Sequence, residues 1–125
     1  MKKVVVFGTG KCAQDVLDGI VEPMQILAFV DNDVTKVGTI EQIYGKYEIV
    51  QPSMLRDMEF DYVYICSSYW YEIANQLYDM GIDIYRMVFP YITDFKKFVS
   101  FWFEKSGEKE RADSSEKEMF SQILN

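Results

Sequence analysis

The sequence predicts an α/β domain built on a parallel sheet of about five strands with flanking helices. Three observations predict it. Val4-Val5-Val6-Phe7 is a short continuous apolar run, β-branched and stopped by glycine, which is the pattern of a strand buried on both faces. Gly8-Thr9-Gly10 follows at once and opens a stretch with helical periodicity. Further apolar runs then alternate with helical stretches, which implies βαβ units and right-handed parallel crossovers.

Taken in order, Ala13, Val16, Leu17 and Ile20 lie at spacings of three, one and three on one helix face, and Glu22-Pro23 closes that helix. Ile26 to Val30 is the second strand, halted by the turn formers Asp31-Asn32-Asp33. Val34 to Lys46, with Gly38 and Gly45, reads as a loop. Tyr47 to Val50 is a weaker third strand, and Pro52-Ser53 starts a short helix through Met58. Tyr62 to Cys66 is the fourth strand, followed by Ser67-Ser68. Trp70, Ile73, Ala74 and Leu77 repeat the helical spacing, and Gly81 stands where a C-cap glycine would. Ile84 to Phe89 makes the fifth strand, ended by Pro90.

From Asp94 the character changes. Phe95, Phe98, Val99 and Trp102 share a helical face, with Phe101 and Phe103 beside them. This C-terminal amphipathic helix carries more aromatic surface than a small domain easily covers. It is expected to pack on the sheet or on another chain, so a homodimer through residues 95–103 is one reading. Glu104 to Lys117 reads as a charged linker, and Met119, Phe120, Ile123 and Leu124 return to helical spacing. The expected division is a nucleotide-binding domain over 1–92 and a helix with linker over 93–125, leading toward a further domain.

Composition removes several function classes. A chain of 125 residues fits one domain of the usual ~100–150. A net charge of -7 argues against nucleic-acid binding, which needs basic surface to displace counterions. No run approaches the ~18–20 apolar residues of a membrane span, and the N-terminal apolar run is too short for a signal peptide, so no membrane role and a cytoplasmic location are expected. Two cysteines make no disulfide framework. The chain has no histidine, which excludes Ser-His and Cys-His nucleophile pairs and most catalytic zinc sites, so no metal is expected.

Gly8-Thr9-Gly10-Lys11-Cys12-Ala13 matches the G-x-G-x-x-G/A fingerprint in its required context, after a strand and opening a helix. Gly8 permits the tight turn, Gly10 lets a phosphate approach the backbone, and Ala13 allows close helix packing. The helix N-terminus then attracts the phosphate, with Thr9, Lys11 and Cys12 beside it. Asp31 ends the second strand 18 residues after Ala13, where a carboxylate accepts hydrogen bonds from ribose hydroxyls, and Asn32 adjoins it. The same residues also read as turn geometry alone. Ser67 and Ser68 would flank the same crevice, although Ser68 also reads as a helix N-cap. A Walker A loop would need glycine at position 5 and Ser or Thr at position 12, where Val5 and Cys12 stand. The glycine-rich loop of S-adenosylmethionine enzymes would prefer glycine at position 12. Cys12 with Cys66 reads either as a redox pair or as two packing residues, and Tyr69-Trp70-Tyr71 either as a stacking platform or as core.

Val4 to Gly10, Phe29-Val30-Asp31-Asn32-Asp33 with Lys36 and Gly38, and Asp61 to Ser68 together resemble the Rossmann-like N-terminal domains of bacterial surface-sugar enzymes. These include the region ahead of FkbM-type methyltransferases and the N-terminal domains of CapD-like and PglD-like proteins. The likeness covers about residues 1–92, and Ser114 to Leu124 is similar to the linking helix before an FkbM-like methyltransferase domain. The resemblance implies an accessory domain in polysaccharide biosynthesis that binds NAD or a nucleotide sugar through Gly8, Gly10 and Asp31, the chemistry lying in another domain. Two other functions fit the residues: an NAD(P)-linked enzyme acting on a nucleotide sugar, and a dimerisation scaffold. The usual Tyr-x-x-x-Lys pair of the first is absent from this chain.

Overall fold

In a computed structural model, residues 1–20, 22–41 and 46–107 are described. The chain divides into two units, Met1–Thr93 and Asp94–Asn125. The first unit carries a six-stranded sheet formed by β1 (Lys2–Phe7), β2 (Met24–Val30), β3 (Ile40–Glu41), β4 (Tyr47–Val50), β5 (Tyr62–Ile65) and β6 (Met87–Val88), with helices α1 (Lys11–Asp18) and α2 (Trp70–Asp79). The order across the sheet is β3-β4-β2-β1-β5-β6. Five of the strands run parallel, and β3 is an antiparallel edge on β4. This is the parallel α/β architecture that the apolar runs predict.

The central strand explains the arrangement. Val4, Val5, Val6 and Phe7 are all at most 2% exposed, so both faces of β1 are covered. Successive side chains alternate between the faces. Val6 packs in one cluster with Ala13 and Leu17 of α1, Phe29 of β2 and Ile49 of β4. Trp70, Ile73, Ala74 and Leu77, the predicted apolar face of α2, are all buried. The chain leaves β1 with β2 on one side and β5 on the other. At that reversal of strand order, the loops after the carboxyl ends of the strands part and leave a crevice.

Several expectations are corrected. Glu22-Pro23 does not close the first helix: α1 ends at Asp18, because Gly19 takes the C-cap and the Gly19 and Ile20 amides donate to the Val16 and Leu17 carbonyls in a tightened last turn. The expected loop Val34 to Lys46 contains β3, and its residues 42–45 lie outside the described residues. Ile84 to Phe89 is not one strand. Ile84–Arg86 is a 3-10 turn capped by Asp83, whose carboxylate accepts the Tyr85 amide at 2.9 Å, and only Met87–Val88 pairs with β5. The short helix expected from Pro52 is a 3-10 helix over Pro52–Asp57. Gly81, by contrast, ends α2 as expected, one residue beyond the C-cap Met80 and at φ +91, with the Ile82 amide donating to the Leu77 carbonyl and the Gly81 amide to that of Tyr78. This is a Schellman ending, and its positive φ favours glycine.

In the second unit a helix, α3, covers 95–107. Glu104 to Gly107, expected in the linker, therefore belong to the helix. Asp94 caps it, its carboxylate accepting the Lys97 amide at 3.0 Å. Phe95, Phe98 and Trp102 form a ladder of rings with centroids 6.4 and 6.0 Å apart, and Phe95 and Phe103 are both exposed. The expected remainder of the linker and the last helical stretch fall at 108–125, outside the described residues. Among the described residues no helix is long and apolar enough to cross a membrane.

Candidate functional site

The crevice at the carboxyl end of β1 encloses a cavity of about 460 Å3. Its wall contains Gly8, Thr9, Gly10, Lys11 and Cys12 of the fingerprint together with Asp31, Asn32, Ser67 and Ser68, whereas Ala13, the fingerprint's last residue, is buried in the core beneath α1. Local hydrogen bonds fix the mouth. The Gly8 amide donates to the Val30 carbonyl at 2.9 Å, the Cys66 amide to the Phe7 carbonyl at 2.9 Å, and the Asp31 amide to the Val50 carbonyl at 3.2 Å. The ends of β1, β2, β4 and β5 are thus tied to one another just below the cavity.

The two glycines differ. Gly8 has φ +118, and a Cβ built on it would run into the Cys66 carbonyl oxygen, so both its backbone and its packing require glycine. Gly10 has φ -92, an ordinary value, and a Cβ there would meet nothing within 4 Å. Turn geometry accounts for Gly8 alone. Gly10 is the N-cap of α1 and supplies no side-chain cap, and no acidic residue lies in the first turn. The Lys11, Cys12 and Ala13 amides have no acceptor among the described residues. They and the helix dipole give the cavity floor a positive potential suited to an anion.

Opposite them stands Asp31. Its Oδ2 accepts from the Thr9 hydroxyl at 2.7 Å, and its Oδ1 accepts from the Asp33 amide at 2.8 Å in a local turn. Lys36 Nζ lies 3.8 Å from Asp31 Oδ2 and donates to the Thr9 hydroxyl at 3.2 Å. A carboxylate offers about four acceptor positions. Asp31 therefore closes a turn and still has capacity for two hydroxyls. Neighbouring Asp33 accepts from both the amide and the hydroxyl of Thr35, and these bonds hold its carboxyl below the usual range.

The far wall is α2 and the turn before it. Ser68 is not the N-cap of α2: the helix starts at Trp70 with Tyr69 in the capping position, and the Ser67 hydroxyl accepts the Tyr69 amide at 3.1 Å. The Ser68 hydroxyl is exposed and unpartnered among the described residues. The aromatic triplet is divided. Trp70 is core, its indole N–H donating to the Thr93 hydroxyl at 3.2 Å, with Tyr71 edge-on against it. Tyr69 is 70% exposed and lines the cavity. Glu72, Ile73 and Gln76 also line it, and the reading from sequence missed them. Positions 69, 72, 73 and 76 repeat the three-one-three spacing one step round from the buried face, and that repeat is the signal that could have found them.

Both cysteines lie on the cavity wall. Both are free, Cys66 buried and Cys12 partly exposed. Burial first, and then the nearby Cys12, pushes the Cys66 thiol up to about 12, so it is protonated at neutral pH and a poor nucleophile. Among the described residues no group of three or more His, Cys, Asp or Glu is placed to hold a metal ion.

Fold and crevice together define a Rossmann-like α/β domain with its cavity at the topological switch point. The chain belongs to the C2185-like family: that family's N-terminal domain matches residues 1–88. Among solved structures, UDP-D-quinovosamine 4-dehydrogenase from Vibrio fischeri is similar at 19% identity, over 66% of this chain and 74% of its own, with a TM-score of 0.49. No curated protein matches the chain.

Proposed function

We propose that the domain binds a nucleotide-bearing ligand, NAD or a nucleotide sugar, and serves as an accessory module of a carbohydrate-modifying protein of the FkbM-like class. The observation that carries the binding reading is Gly10. Neither its dihedral angle nor its packing asks for glycine, yet its missing side chain leaves open the space in front of three unpartnered amides. A diphosphate would sit there, held by the α1 amides with Thr9 and Lys11 beside it, and its ribose would reach Asp31. Ser67 and Ser68 flank the other side. The accessory role is supported by the resemblance of residues 4–10, 29–33 and 61–68 to domains attached to surface-sugar enzymes.

The test is a thermal-shift panel of NAD, NADP, UDP-sugars, GDP-sugars, coenzyme A and S-adenosylmethionine on the wild type and on Gly10→Ser. A ligand that binds only the native state at 100 times its Kd stabilises it by about 2.7 kcal/mol, which is easily read as a rise in Tm. Serine is at least as good an N-cap as glycine, so the variant keeps its own Tm. Its side chain fills the open space and its hydroxyl takes an amide, so the ligand-induced rise is lost. A rise equally large in Gly10→Ser would remove the diphosphate from this loop.

A further inference from the structure

Asn32 and Gln76 face each other across the crevice. Asn32 Nδ2 donates to Gln76 Oε1 at 2.9 Å, and Gln76 Nε2 donates to Asn32 Oδ1 at 2.9 Å. The two amides close a ring that ties the loop after β2 to α2, 44 residues apart in sequence. A second cavity of about 350 Å3 adjoins the first, bounded by Val34, Val37, Pro52, Ser53, Arg56 and Met80. Both cavities count Asp31, Asn32 and Gln76 in their walls. The amide ring therefore stands where the two chambers meet.

We propose that the Asn32–Gln76 pair is a latch between the chambers, which a ligand must open to extend from the glycine loop into the second one. The inference rests on the diphosphate reading above and adds what discriminates among ligands at that site. Each chamber alone is near the lower end of the ~300–1,000 Å3 of small-molecule sites. A diphosphate fits in the first. With the diphosphate at Gly10 and the ribose at Asp31, which both chambers share, the nucleobase is directed past the ring toward Val34, Val37 and Arg56. The Arg56 guanidinium has no partner among the described residues and lies open to a polar base edge or a further anionic group.

Amide chemistry makes the ring suitable for this task. Both amides are near solvent, so water replaces the lost partners on opening and the net loss per neutral hydrogen bond is small. Once opened, an amide presents a donor beside an acceptor, the arrangement also found along a nucleobase edge. A nucleotide thus compensates for the broken pair, whereas a bare diphosphate neither needs nor can reward its opening. If the latch is open about one time in ten, the apparent Kd of a nucleotide is about tenfold weaker than its intrinsic value.

The test is titration calorimetry of the full chain and of Gln76→Ala with three probes: inorganic pyrophosphate, NAD and UDP-glucose. Gln76 is only partly buried, so its truncation leaves the fold intact, and Asn32 remains to meet the base. The expected result is about five- to tenfold tighter binding of whichever nucleotide binds, equivalent to about 1–1.4 kcal/mol, with pyrophosphate unchanged. Unchanged or weaker nucleotide binding, with pyrophosphate still held, overturns the latch and leaves the glycine-loop reading standing. Pyrophosphate and nucleotide both tightened alike would also overturn it, because a gate between chambers cannot act on a ligand confined to one. No binding of any probe by either protein removes the diphosphate reading and the latch together.

Discussion

The β1–α1 wall of the crevice is made of backbone, whereas the wall facing it is made of side chains from α2 and the turn before it. On the first wall the working parts are a glycine forced into a positive φ, a second glycine with empty space beside it, and three amides without acceptors. On the second they are Tyr69, Glu72 and Gln76, set one step round from the buried stripe of α2. A backbone wall depends on the whole sheet behind it and tolerates little change. A side-chain wall can be altered one residue at a time without moving its support.

The strongest way to break this contrast is Gly8→Ala. The added methyl would meet the Cys66 carbonyl at a φ that L side chains rarely adopt, and Gly8 is held to β2 by its own amide. Strain of this kind costs about 1–3 kcal/mol before the steric clash is counted, against a total stability of about 5–15 kcal/mol for an ordinary domain. Denaturant unfolding should show a loss of about 3 kcal/mol or more. A loss under ~1 kcal/mol would mean that β1 and β5 can part at no cost, and the backbone wall would not be rigid. Replacement of Tyr69 by alanine on the facing wall serves as the control, with stability within about 0.5 kcal/mol of wild type.

Asp31→Ala sharpens the comparison at the seam between the walls. Hydrogen bonds to a charged acceptor contribute about 1.5–3 kcal/mol, so loss of the ribose contact should weaken nucleotide binding by about tenfold or more while pyrophosphate binding stays within about twofold. Calorimetry with the two probes reads the difference. Equal weakening of both would assign Asp31 to shaping the loop through Thr9 and Asp33, the bland turn reading, and not to contacting ribose.

The backbone wall and the Ser67–Ser68 turn facing it were legible in the sequence, and the α2 side chains Glu72, Ile73 and Gln76 were not, for a physical reason. A four-residue apolar run ended by Gly-x-Gly constrains its surroundings so tightly that strand, turn and helix start follow from the residue types. Gln76 sends no such signal. An exposed polar residue on a helix suits solvent as well as a cavity, and only the placement of the loop after β2 gives it a partner in Asn32. The same limit explains Ile84 to Phe89. The run is apolar enough for a strand, but the Asp83 carboxylate captures the Tyr85 amide and winds its first half into a 3-10 turn, a local competition that hydrophobic pattern does not register. At Gly19 the apolar spacing runs on through Ile20, yet the tightened turn ends α1 first.

The smallest expected effect comes from Cys66, whose carbonyl borders the Gly8 turn. Cys12 on α1 is partly exposed, whereas Cys66 after β5 is 2% exposed and its thiol is pushed up to about 12 from an ordinary 9.0. The folded protein therefore keeps a proton on Cys66 that the unfolded chain releases above about pH 9. The stability this gives is fully present below the unfolded value and is lost as pH rises toward the folded one, at about 1.4 kcal/mol per pH unit. Tyr64, also raised by burial from 10.0, adds to the loss only at higher pH, so the window between pH 9 and 10 belongs chiefly to Cys66. Cys66→Ala should flatten the fall in unfolding free energy across that window. An unchanged slope in Cys66→Ala would mean that solvent reaches Cys66 in the native state and that the turn holding Gly8 opens readily.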